Sequence, residues 1–253
     1  MKKIKTLGIW KEVNDNYQSY SPVEDASSPE DMIHWGEAQL KYDLEATTSY
    51  SQSFQDIFVA SVMGEKKRGT YLELGCSYPV EINNTYLLES EYDWTGVSID
   101  IDPKRTKVFE QSRKNTVVTL DAGLVDYDDL LSQYDDNHVD YLQFDVDDNP
   151  VTLKVLKDID FSKYDFSVIT FEHNTYADGM SPDFPRGSCN ALKDYFKSIM
   201  DKHGYVLVAE DVCNMTYDDP FEDWYINPKY VDEENWKRFE SKSERAMNIM
   251  FEV

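Results

Sequence analysis

Carboxylates close a series of short apolar runs in this sequence: Asp100 after WTGVSI, Asp121 after TVVTL, Asp145 after VDYLQF, Glu172 with His173 after DFSVITF, and Asp211 after GYVLVAE. If these runs are strands, the acids gather at one edge of a sheet, which is where ligands of open α/β sheets bind. Asp100 lies about twenty-five residues beyond Gly75, and an acid so placed can accept hydrogen bonds from both hydroxyls of a ribose. Asp121, followed by Ala122, can accept from an adenine amine or cap a short helix. Asp145, Glu172 and His173 offer two kinds of chemistry. His173 can act as a base toward a hydroxyl. Alternatively Asp145 and Glu172, joined by Asp211, can hold Mg²⁺ or another hard cation. A packing or substrate-binding role stays open for each of them.

The run Tyr71-Leu-Glu73-Leu-Gly75-Cys76-Ser77 leads from a strand into a turn, and Asn83-Asn84-Thr85 supplies capping chemistry for the next helix. A dinucleotide normally needs further glycines here so that backbone can approach its pyrophosphate. Gly75 stands alone in this turn. S-adenosylmethionine has no phosphate, so the missing glycines favour it over NAD. Its carboxylate can use backbone N–H groups and its amine nearby carboxylates. Cys76 has no histidine partner in sequence and reads as pocket lining, not as a nucleophile. Trp94, Trp224 and Tyr225 read as core or lid packing in preference to a stacking platform.

The elements that must position these residues follow from the alternation of strand-type runs (TYLEL is the first) with helix-length segments near 85–90, 104–113, 126–134, 151–158 and 190–202. That alternation predicts an α/β fold with a mostly parallel sheet and helices on both faces. Gln55 to Met63 has helical spacing and stops at Gly64. Residues 1–49 read as an arm or cap with a helix-compatible stretch from Glu30 to Tyr42, and residues 50–253 as the main domain. Within it, the acidic and aromatic segment 214–244 reads as a loop and helix laid over the working edge like a lid, and Met247 to Val253 as a last strand.

Composition narrows the partners. A net charge of −24 opposes binding to an extended phosphate backbone, which depends on Lys and Arg. Lys66-Lys67-Arg68 is a compact basic cluster and reads as a solvated turn. There is neither a secretory leader nor an apolar run near the roughly 20 residues that cross a bilayer. Three widely spaced cysteines fit reduced thiols better than a disulfide framework or zinc site. The expectation is a cytoplasmic protein with no nucleic-acid or membrane partner.

Taken in order, these motifs resemble the FkbM-type methyltransferases, in particular divergent members found in environmental bacterial and viral sequences. The resemblance covers most of the chain after about residue 50. It rests on Tyr50-Ser51-Gln52-Ser53-Phe54-Gln55-Asp56, LELGCSYPVEINNTYLLE, WTGVSIDIDP, VDYLQFDVD, FSVITFEH, GYVLVAEDV and PFEDWYINP. It implies a Rossmann-like class I methyltransferase fold, S-adenosylmethionine as donor, and O-methylation of a hydroxyl on a sugar, glycan or small metabolite. For a viral member the compartment is the host cytoplasm. By the same resemblance Glu73, Gly75, Cys76 and Ser77 contact the amino-acid part of the cofactor, and Asn84 and Ile101 join its site. Asp100 takes the ribose, Asp121 and Ala122 border the adenine, and Asp145 lies near the methyl. The turn G-C-S-Y-P and the run V-D-D-N depart from the family's usual G-A-N-x-G and V-E-G. Two other readings stand beside this one: an NAD-dependent oxidoreductase or sugar-nucleotide enzyme, and a non-catalytic interaction protein that keeps the fold.

Overall fold

Seven strand-length runs and one short edge strand join a single sheet in the computed structural model, which describes residues 49–213 and 219–251. After helix α1 (Gln55–Val62) come β1 (Thr70–Leu74), α2 (Tyr86–Tyr92), β2 (Thr95–Asp100), α3 (Pro103–Ser112), β3 (Thr116–Thr119) and α4 (Tyr127–Leu131). Next are β4 (His138–Phe144), α5 (Asn149–Asp158), β5 (Asp165–Glu172), α6 (Ser188–Lys202) and β6 (Val206–Cys213). The chain closes with β7 (Pro220–Ile226), α7 (Glu233–Trp236), β8 (Ser241–Lys242) and α8 (Ala246–Phe251).

The strand order is β3-β2-β1-β4-β5-β7-β6-β8. Strands β1 to β5 pair in parallel, β7 runs antiparallel to both β5 and β6, and β8 is parallel to β6. This is the Rossmann-like α/β fold expected from the alternation of elements. The sheet reverses its direction of growth between β1 and β4, a switch point where the connecting segments diverge and leave a crevice at the carboxyl ends of the strands.

Side chains alternate across each strand, so each face builds its own core. On one face Tyr71, Tyr141, Val168 and Trp224 pack with α1, α2, α7 and α8. On the other, Leu72, Leu142, Ile169 and Tyr225 pack with α4, α5 and α6. Phe58 of α1 stacks on Trp224 at 4.5 Å and Phe196 of α6 on Phe171 at 4.0 Å. Such pairs add about 0.5–1.5 kcal/mol beyond the area they bury. Trp94, Trp224 and Tyr225 are all core residues. Among the described residues no helix is long and apolar enough to cross a membrane.

Two expectations are corrected. Much of the segment 214–244 is not a lid: Pro220–Ile226 forms β7 inside the sheet, with Phe221 and Trp224 through Ile226 buried. The acidic residues of PFEDWYI disguised it, because Glu222 and Asp223 are themselves buried on either face. Nor is Met247 to Val253 a last strand. Ala246–Phe251 is helical, and Ala246, Met247 and Ile249 face the first core while β8 occupies the sheet edge beside β6. The arm and its stretch from Glu30 to Tyr42 lie outside the described residues, as do 214–218 and 252–253.

Candidate functional site

The turn after β1 is built on Gly75, which has φ +79° and sits where an added Cβ would meet the Asp145 carbonyl oxygen at 1.7 Å. Only glycine permits that approach between the ends of β1 and β4. The Gly75 and Cys76 N–H groups donate to the Ile99 carbonyl at 2.8 and 3.2 Å, fastening the turn to β2. Asp100 ends β2 beside it. Its Oδ2 accepts from the Ser77 N–H at 2.9 Å and its Oδ1 from the Asp102 N–H at 2.8 Å. Each oxygen keeps one further lone pair. Arg105 of α3 donates to the Ser77 hydroxyl at 3.2 Å and lies over Tyr78.

Glu73 is placed beneath this turn and not in it. It is 1% exposed, and its carboxylate accepts from Asn83 at 3.1 Å, Thr85 at 3.0 Å and Ser98 at 2.5 Å. Burial pushes its carboxyl up to about 7, against the pull of Arg113. These bonds join β1, β2 and the start of α2, so Glu73 ties the three elements together beneath the turn. Asn83, rather than Asn84, does the capping: its Oδ1 accepts from the Thr85 and Tyr86 N–H groups at 3.0 and 2.8 Å. Asn84 is buried and its Oδ1 has no partner among the described residues. Cys76 is buried, and its thiol is pushed far up by burial, then by the charges of Glu73 and Asp100. It is an inert wall of the turn.

A row of acids crosses three neighbouring strands at the same edge. Phe144 pairs with Phe171 and Glu172 with Glu222, so the next residue on β4, Asp145, falls level with Glu172 and Glu222. Asp145 and Glu172 stand side by side at this edge. Burial, then the charge of Asp147, pushes the Asp145 carboxyl up to about 8; burial, then Asp145 and Asp147, pushes Glu172 well above the carboxylate range. Glu222 accepts from the Trp224 indole at 2.6 Å, and burial raises it to about 8. Oxygen atoms of Asp145, Asp147 and Glu172 lie within 4.8 Å of one another.

Asp211 does not join them, which corrects the cation set read from sequence. It stands instead with His173 and Asp223, on whose carboxylates the His173 Nε2 closes to 3.7 and 3.6 Å. Here Lys193 of α6 already supplies the cation, bonding Asp211 and approaching Asp223 at 3.7 Å. His173 is fully buried, and its Nδ1 accepts from the Thr175 N–H at 3.3 Å. That contact leaves the proton on Nε2, pointed at the two acids. The imidazole therefore faces an internal ion cluster, grouped with Asp211 and Asp223 and not with Asp145 and Glu172. Adjacent residues leaving a strand take opposite sides, which is why Glu172 and His173 separate.

The adenosine-side residues stay near the edge. Asp121 Oδ1 caps the turn Ala122–Leu124 through the Gly123 N–H at 2.8 Å. Ile101 is 68% exposed, and Ile82, Leu124, Tyr176 and Met180 are exposed too, each on a loop that leaves the carboxyl end of a strand.

Sequence reading missed Asp147, Lys193, Glu222 and Arg113. Arg113 is 7% exposed and bonds Glu89 at 2.8 Å, the Pro79 carbonyl at 2.8 Å, Asn83 at 3.0 Å and Thr85 at 3.1 Å. Its position after α3 carries no local signal for this role. The opening motif is also structural: Asp56 accepts from Ser49 and Ser51 hydroxyls, each at 2.7 Å, and from the Tyr50 N–H at 2.7 Å. Lys66-Lys67-Arg68 lies at the opposite edge, where Lys66 pairs with Asp140 at 2.7 Å.

No family model and no curated protein matches the sequence. Among solved structures, the chain is similar to an O-methyltransferase from Bacillus cereus in complex with SAH, at 14% identity and TM-score 0.48 over 87% of this chain and 97% of that one. It is similar to an rRNA methylase from Streptococcus thermophilus at 10% identity and TM-score 0.45, over 69% and 94%. A SAM-dependent methyltransferase from Archaeoglobus fulgidus aligns at 16% identity and TM-score 0.42, over 67% and 89%.

Proposed function

We propose that this chain transfers a methyl group from S-adenosylmethionine to a hydroxyl of a sugar, a glycan or a small metabolite. The observation that carries the reading is the Asp100 carboxylate, held beside the Gly75–Ser77 turn at the switch point and facing the same edge as Asp145 and Glu172. The residues present fit the donor. Two ribose hydroxyls match the two lone pairs left on Asp100, Ile101 and Ala122 give apolar surface for adenine, and the second oxygen of Asp121 can accept from its amine. Bound there, S-adenosylmethionine supplies an electrophilic methyl on a positive sulfonium.

The chain's own task is alignment, since in-line displacement depends mostly on proximity and orientation. The acceptor oxygen bonds to the methyl carbon as the sulfur–carbon bond breaks, and the hydroxyl proton passes to Asp145 in its ionised form, which its raised carboxyl makes the stronger base. An acidic edge suits a cationic donor that becomes neutral on transfer. The net charge of −24 argues against RNA as acceptor.

The NAD reading loses support from the sheet. An antiparallel β7 stands between β5 and β6, whereas the dinucleotide order is 3-2-1-4-5-6 in a mostly parallel sheet. Calorimetry with S-adenosylhomocysteine and with NAD tests the proposal. Saturable binding of the first and none of the second is expected, followed by labelled-methyl transfer to a panel of glycans and metabolites. Binding of NAD alone overturns the proposal, and binding of neither ligand selects the non-catalytic interaction protein.

A further inference from the structure

We propose that Gln143 selects the acceptor by accepting a hydrogen bond from a second hydroxyl, adjacent to the one that is methylated. The substrates favoured are then sugars and other vicinal diols, in preference to simple alcohols. The proposal deepens the methyl-transfer reading above and rests on it.

Gln143 is 2% exposed, and its Oε1 has no hydrogen-bond partner among the described residues. Buried polar groups in folded proteins are nearly always bonded, so an unmatched one points to a partner supplied from outside the chain. For packing alone, a methionine would fill the same space with no polar atom left unmade. The amide is neutral, which suits it to a hydroxyl and not to a charged group.

The neighbours of Gln143 indicate where that partner comes from. On its face of the sheet it stands level with Glu73 of β1 and Thr170 of β5. Glu73 is taken up by Asn83, Thr85 and Ser98, and the Thr170 hydroxyl by the Tyr141 hydroxyl at 2.7 Å. With both flanks committed, the direction left is along β4 to its carboxyl end, where Asp145 follows two residues later. Residues so spaced share a face and lie about 6.5–7 Å apart along a strand. The glutamine side chain is one carbon longer than the aspartate, so Gln143 and Asp145 can reach two oxygens on neighbouring carbons. A second unmatched group marks the same side of the sheet. Ser53 Oγ is fully buried without a partner among the described residues, just before α1, whose Gln55 approaches Glu222 in the row of acids.

The test compares the full chain with its Gln143→Met variant. The thermal midpoint of the variant should equal or exceed that of the parent, and S-adenosylhomocysteine affinity, read by calorimetry, should be the same in both. Labelled-methyl transfer is then measured on methyl glycosides and 1,2-diols, each paired with its monodeoxy counterpart. For the parent, removing the second hydroxyl should lower kcat/KM at least about tenfold. In Gln143→Met that ratio should fall toward one, through KM with kcat little altered. A lower thermal midpoint in the variant would assign Gln143 to the fold, and a tenfold loss of S-adenosylhomocysteine affinity would assign it to the donor; either overturns the proposal. So does a deoxy acceptor used as well as its diol, or a preference that survives in Gln143→Met. Transfer to no diol while the parent still binds S-adenosylhomocysteine overturns this proposal alone, whereas a parent that binds no S-adenosylhomocysteine sinks the methyl-transfer reading with it.

Discussion

The Asp100 carboxylate holds the Ser77 N–H at 2.9 Å, so the end of β2 fixes the backbone of the turn that leaves β1. Ser77 has φ +46°, a left-handed conformation that a serine keeps only when its surroundings hold it. One carboxylate thus shapes the turn and keeps one further lone pair on each oxygen.

Asp100→Ala should therefore act twice. Loss of the two backbone bonds should destabilise the fold by about 1–3 kcal/mol, and S-adenosylhomocysteine affinity should fall at least about tenfold. Urea unfolding and calorimetry read the two effects separately. Unchanged affinity in a folded variant would remove the ribose assignment.

Gly75→Ala should be among the most damaging single changes in the chain. The added carbon would overlap the Asp145 carbonyl oxygen at 1.7 Å, in a backbone conformation of φ +79°. A loss above about 4 kcal/mol is expected from overlap and strain together, read as failure to purify folded protein or as a large drop in the urea midpoint.

Lys193→Met should destabilise the protein strongly, because Asp223 is fully buried and Asp211 mostly so, and both lean on that ammonium. Removing one member of a buried ion cluster costs about 3–5 kcal/mol. His173→Gln should lower the thermal midpoint while S-adenosylhomocysteine affinity persists. Turnover abolished at an unchanged thermal midpoint would instead restore the imidazole as the base.

His138 predicts a pH dependence of stability. Burial holds its imidazole below the usual value, where Nε2 pairs with the Ser167 hydroxyl at 2.8 Å and the ring stacks on Tyr230 at 4.0 Å. The unfolded chain takes up this proton first, so between the lowered folded pKa and the unfolded value of about 6.5 stability rises with pH. The penalty is absent above that window and sets in as pH falls through it. Urea midpoints from pH 5 to 8 should show a slope that His138→Gln reduces. Parallel profiles for the two proteins would refute the assignment.

The sequence determined what is local. Alternating apolar runs and helix-length segments specified β1 to β6 and the five crossover helices α2 to α6, because strand and helix periodicities depend on near neighbours. The lone Gly75 marked the turn, and the strand-end acids Asp100, Asp121 and Asp145 marked the edge. Tertiary structure decided what depends on faces and partners. Pro220–Ile226 enters the sheet only because Glu222 finds Trp224 and Asp223 finds the Asp211 N–H and the Tyr225 hydroxyl, which satisfy acids that local pattern assigns to a loop. Glu172 and His173 are adjacent in the chain, yet the side-chain alternation at the end of β5 sends one to the edge and the other into the Lys193 cluster. Asp147 reaches the site and Asp211 does not, a choice made by strand order, since charge and spacing along the chain treat the two alike.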